Sequence, residues 1–199
     1  VFSPEIVRYK TLEDGDSLAL HIFKPRNMQA GEKRPAIVYF FGGGWKLGTP
    51  IQFYRECAYY ASKGMVAVSV DYRIGYLHHY TPFESFEDAK DAICWLRSHA
   101  SDYQLDPDKI AVAGGSAGGH LAAALGTIGS DETVPAGYRP NLSVLYYPVI
   151  DMVSRGYGFP EIKRDFEKIS PIHHVSEATP STLILLGTKD PIVSVETIE

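Results

Sequence analysis

The chain has 199 residues, 45% of them hydrophobic, and a formal charge of −5 at pH 7. That length suits one well-buried core, and the acidic balance gives no reason to expect nucleic acid or an anionic membrane as a partner. No apolar run approaches membrane-spanning length. The two cysteines, Cys57 and Cys94, fall in helix-like stretches without metal-ligand spacing and read as buried thiols, not a disulfide.

In chain order, residues 5–9 and 17–23 read as two strands about the turn-former Glu13-Asp14-Gly15-Asp16, an antiparallel edge. The pattern then changes to short, unalternating, β-branched runs at 36–41, 65–70, 110–113, 142–147 and 182–186. Runs of this kind are expected for strands buried on both faces. Between them, residues 52–63 and 83–99 have helical spacing, the second with Phe86, Ala89, Ile93 and Leu96 on one stripe. A third helix is expected at 118–125, poor in bulky side chains and so able to pack close to the sheet. The alternation predicts one α/β domain over residues 1–199. Its mostly parallel sheet carries helices on both faces and opens with an antiparallel strand pair.

Ligands of open parallel sheets bind beyond the carboxyl ends of the strands, so the residues that follow each strand matter most. After 36–41 come Gly42-Gly43-Gly44-Trp45. Successive glycines expose backbone N–H groups, and two aimed at one point can hold the oxyanion formed when a nucleophile attacks an ester carbonyl. A flexible loop or a phosphate nest is the other reading. No Gly-Lys-Ser/Thr follows, and no G-x-G-x-x-G marks this first junction, which weakens a nucleotide reading. The loop after 65–70 carries His78, His79 and Tyr80 at the expected pocket rim, as substrate contacts or as exposed loop polarity.

After 110–113, Gly114-Gly115-Ser116-Ala117-Gly118 fits G-x-S-x-G, the sharp strand-to-helix turn that lifts a serine hydroxyl above a sheet. A plain glycine-rich connection is the alternative. The Ala117 N–H and the helix starting there would add to an anion hole. Asp190-Pro191 follows the last strand and reads as a turn pair, or as the carboxylate that orients an imidazole.

The ordered set resembles an α/β-hydrolase of the hormone-sensitive-lipase-like esterase group, near the bacterial carbohydrate esterases and lipases of acetylxylan or feruloyl type. Besides the motifs above it comprises Asp71-Tyr72-Arg73, Glu87-Asp88 with Trp95-Leu96, Asp106-Pro107 and Ser170-Pro171, and it spans residues 36–199. The resemblance implies Ser116 as nucleophile, Gly43, Gly44 and Ala117 as oxyanion donors, and Asp190 as the acid. It implies a small-molecule ester as substrate, a carbohydrate ester among the options, with no cofactor and no metal. Trp45, His78, His79 and Tyr80 are the expected substrate contacts.

Two departures stand out. Phe41 occupies the place where the family has His before its glycines, and is expected to hold the loop by packing. The family's catalytic His follows the acid by a few tens of residues, whereas this sequence ends at Glu199. The reading is therefore of an esterase whose C-terminal part is missing, residues 195–199 opening a helix. The alternatives are a catalytically silent small-molecule-binding relative and a serine peptidase of prolyl-oligopeptidase type. His173 and His174 precede the last strand, the wrong order for a base, and His120 reads as structural. No signal peptide is visible, so the expectation is a soluble protein, cytoplasmic or exported with its signal removed.

Overall fold

The computed structural model describes residues 3–78, 80–129, 136–152 and 163–198. Its strands are β1 (Glu5–Thr11), β2 (Ser17–Phe23), β3 (Arg34–Phe40), β4 (Val66–Val70), β5 (Leu105–Gly115), β6 (Leu142–Tyr146) and β7 (Ser181–Leu185). They form one sheet in the order β1-β2-β4-β3-β5-β6-β7. β1 pairs antiparallel with β2 and β2 with β4, while all pairings from β4 to β7 are parallel. The expected mostly parallel sheet with an antiparallel N-terminal pair is what the chain builds.

The helices are α1 (Tyr54–Ser62), α2 (Gly75–His78), α3 (Pro82–Ser98) and α4 (Ala117–Thr127). The start of α3 is specified locally. Thr81 and Glu84 close a capping box and Pro82 occupies the first turn, where a missing N–H costs nothing. Its apolar stripe of Phe86, Ala89, Ile93 and Leu96 is buried, as the spacing predicts. The whole of α4 is buried, which its glycine and alanine content permits. α2, a single turn, lies where the sequence suggested loop. Among the described residues no helix is long and apolar enough to cross a membrane.

β4 is buried at every position and β3 from Ala36 onward, as expected of strands covered on both faces. β6 and β7 differ from the expectation. Ser143 and Leu145 face α4, but Leu142, Leu183 and Leu185 on the opposite face are 41%, 53% and 46% exposed. Their apolar runs look like those of β3 and β4, yet β7 is paired on one side only, and on that face the leucines stay exposed although the Phe53 ring reaches Tyr146 of β6, centroids 6.4 Å apart. Cys57 is buried as predicted, whereas Cys94 is exposed on α3, and neither is in a disulfide.

At the carboxyl edge, a buried ion cluster fixes the turn after β4. Asp88, fully buried, accepts from Arg73 Nε at 2.8 Å and from Lys10 Nζ at 2.6 Å. Two cations around one carboxylate, plus a bond from the Arg73 backbone N–H at 2.9 Å, satisfy a charge that would be costly to bury alone. The Arg73 guanidinium in turn lies 4.5 Å from the Tyr80 ring centroid. The motif residues Arg73 and Asp88 thus hold the loop that leads into α3.

Candidate active site

Ser116 stands between β5 and α4 with φ 54° and ψ −120°. For a residue with a Cβ, that conformation costs about 1–3 kcal/mol and persists only where its surroundings impose it. Here they do. The Ser116 N–H donates to Tyr146 O at 3.0 Å, and Ser116 O accepts from His120 N at 2.9 Å. The hydroxyl caps nothing on α4, although Ser116 is the N-cap residue, and the side chain is only partly buried. The flanking glycines answer to crowding. A Cβ on Gly114 would lie 2.3 Å from Gly118 O, and one on Gly118 would lie 2.1 Å from Phe40 O.

The glycine loop touches this turn. A Cβ on Gly42 would sit 2.8 Å from Gly115 O and 3.4 Å from Ser116 Cβ. The Gly42 N–H is already committed, donating to Gln52 Oε1 at 2.6 Å. Gly43 and Gly44 have φ 146° and 62°, and their N–H groups donate to no group among the described residues. The Ala117 N–H, in the first turn of α4, is equally free among them. Three donors without a partner among the described residues thus flank the contact: two directly follow Gly42 in the loop that meets the serine turn, and one directly follows Ser116 at the positive end of α4. Gln52 was not foreseen, because nothing in a sequence marks a side chain that accepts from an amide ten residues earlier.

Phe41 packs as expected. Its ring stacks on Tyr72 with centroids 4.1 Å apart, and Tyr72 Oη donates to Phe41 O at 2.6 Å. Trp45 requires a correction. Predicted to face substrate, it is 2% exposed, with φ 58° and its ring directed into the core. Its indole N–H donates to His120 Nδ1 at 3.3 Å and its carbonyl accepts from Gly75 N at 2.8 Å. Trp45 fastens the loop; an aromatic after glycines reads as ligand-facing only until burial is known. Tyr80 is partly buried against Arg73. His78 lies in α2, and His79 falls outside the described residues.

Tyr147 is a residue the sequence reading passed over. It follows β6 with φ 38°, is 45% exposed, and its hydroxyl would lie 2.9 Å from a Cβ on Gly115. It is a tyrosine held in a left-handed conformation at the tip of a parallel strand, directly beside the serine turn. Its position just before Pro148 was the available signal.

Asp190 lies five residues beyond Leu185, which is in register with Tyr146 and, through it, with Gly115. Two strand spacings, about 10 Å, therefore separate the serine turn from the β7 turn along the sheet. Asp190 Oδ1 accepts from Val193 N at 2.9 Å and Ile192 N at 2.8 Å, which holds the carboxyl below the usual range. The described imidazoles are engaged elsewhere. His21 bonds the Tyr54 hydroxyl, His99 stacks on Trp95, His174 donates to Glu167 O, and the His173 ring meets the edge of Phe166. His120 Nε2 donates to Ile169 O at 2.6 Å, and burial pushes its pKa down to about 4.

The BD-FAE family profile matches residues 20–160, which include the glycine loop, the Arg73–Asp88 pair and the serine turn. The chain belongs to the BD-FAE family. It is similar to esterase LipC of Mycobacterium tuberculosis, at 29% identity over 92% of this chain and 51% of that protein. The chain thus spans about half the length of the curated relatives it matches. Among solved structures it is similar to esterase 2 of Thermogutta terrifontis. The butyrate-bound form aligns with a TM-score of 0.89 at 36% identity, over 98% of this chain and 76% of that one. The form phosphorylated by paraoxon aligns with the same TM-score at 37% identity, over 98% and 75% respectively. These neighbours are esterases, and this BD-FAE chain shares their α/β-hydrolase fold.

Proposed function

We propose that this chain carries the nucleophile, oxyanion donors and acid of a serine carboxylesterase acting on short acyl or aryl esters. The observation that supports this most is the strained, uncapped Ser116 set against a loop whose Gly43 and Gly44 amides are unpaired. Ser116 Oγ attacks the ester carbonyl carbon, and the carbonyl π electrons move onto oxygen. The N–H groups of Gly43, Gly44 and Ala117 hold that oxyanion. An imidazole oriented by Asp190 takes the hydroxyl proton and returns it to the departing alkoxide, leaving an acyl-serine that water hydrolyses by the same route. No step requires a cofactor. The short-acyl preference accords with the butyrate bound by the Thermogutta esterase. Acetylated or feruloylated carbohydrate is the narrower substrate class that the sequence resemblance suggests.

The test is labelling by paraoxon or a fluorophosphonate together with hydrolysis of p-nitrophenyl butyrate. It uses protein expressed from the complete reading frame, since the chain spans only part of its relatives. Phosphorylation mapped to Ser116 and turnover lost in Ser116→Ala are expected. A protein that binds esters but neither labels nor turns them over would be the silent binding relative instead.

A further inference from the structure

We infer that Trp45 and His120 form a buried hydrogen-bonded relay that sets the glycine-loop amides relative to Ser116, making both of them positioning residues. The inference rests on the esterase reading for its catalytic consequence and on geometry for its existence. The relay has three links. Trp45 Nε1–H donates to His120 Nδ1 at 3.3 Å, with the two rings nearly perpendicular and 5.1 Å apart. His120 sits one turn into α4, its own N–H bonded to Ser116 O at 2.9 Å, so the imidazole and the serine backbone move together. His120 Nε2–H then donates to Ile169 O at 2.6 Å, anchoring the ring to the segment before Pro171.

The imidazole is suited to this because both of its nitrogens are used in opposite senses, and only the neutral ring allows that. The fully buried site keeps it neutral, its pKa falling to about 4. The loop needs such a fastening. Trp45 has φ 58°, a conformation that a bulky residue adopts only when held, and it directly follows Gly43 and Gly44. If the indole swings, the Gly44 amide moves with it. A donor lost from an oxyanion hole lowers kcat by about 10²–10³-fold, so one that is only displaced should cost less. We expect about 10- to 100-fold from Trp45→Phe, which keeps the ring and deletes the N–H.

Two measurements test this on the complete protein. In the first, Trp45→Phe should lower kcat for p-nitrophenyl butyrate with little change in KM, while Trp95→Phe on α3 keeps the wild-type values. His120→Asn, which retains an acceptor towards the indole, should keep more kcat than His120→Leu. Trp45→Phe with unchanged kcat, or equal losses in the two His120 variants, would overturn the relay. The second needs no activity: NMR of ¹⁵N-labelled protein, in which only two tryptophan indoles occur. A slowly exchanging Trp45 indole proton, and a His120 ring protonated at Nε2 alone down to pH 5.5, are expected. A rapidly exchanging indole or an imidazole titrating near 6.5 would overturn it. A wild type that fails to label with paraoxon counts against the esterase reading alone, and the NMR result then judges the relay.

Discussion

The carboxyl edge of the sheet is built in two ways. Around β3, β5 and α4, backbone groups near Ser116 are held by residues distant in sequence: Gly42 by Gln52, Trp45 by Gly75 and His120, Ser116 by Tyr146. In the turn after β7 the support is local. Asp190 is bonded within its own turn, and three leucines of β6 and β7 are 41–53% exposed. In the esterase reading the contrast has a reason. A nucleophile and its anion donors must be placed to within about half an ångström. A carboxylate that acts through another ring can rely on a turn.

The largest expected effect breaks the rigid side. Ser116→Gly should lower kcat about 10⁶-fold, as losses of a triad serine do. It should also raise stability by about 1 kcal/mol, because glycine adopts φ 54° without strain. Ester hydrolysis and urea denaturation measure the two halves, and an equally unstable variant would contradict the strain. Next comes the local side. Asp190→Asn keeps an acceptor for the Ile192 and Val193 amides, so folding should survive while kcat falls by about 10⁴-fold. A small loss would place the acid elsewhere.

Asp88→Asn separates scaffold from site. Removing a buried charge shared by Arg73 and Lys10 should cost about 3–5 kcal/mol in denaturant titration. His120 gives a pH signature. Its folded pKa of about 4 lies below the ordinary 6.5, so the unfolded chain binds the extra proton first. The stability from its neutral burial is full above pH 6.5 and is lost as pH falls toward 4, by about 3 kcal/mol. His120→Asn should flatten that slope in thermal melts between those limits. Smallest of all, Leu183→Thr on the open face of β7 should shift stability by no more than about 0.5 kcal/mol. A loss of several kcal/mol would mean that this face is covered.

The same contrast explains what the sequence could tell. Gly114, Gly118 and Gly42 were legible as a site because packing forbids a Cβ at each, and that demand leaves a glycine behind. The capping box of α3 was written in adjacent residues. Contacts that depend on a third element left no pattern. Trp45 looked like a ligand contact because nothing nearby announces His120, and Tyr147 looked like the end of a strand. The apolar runs of β6 and β7 matched those of β3 and β4, since a run records composition, whereas burial depends on what packs against it. Cys94 was misjudged for the same reason.

The missing side chain of Gly118 has a consequence for anyone wishing to reshape the pocket. With α4 seated directly on the Phe40 and Phe41 carbonyls, the helix is a fixed wall that no substitution at 114 or 118 can push back. In the esterase reading, the neighbour of the serine turn left open to change is Tyr147, 45% exposed and packed against Gly115.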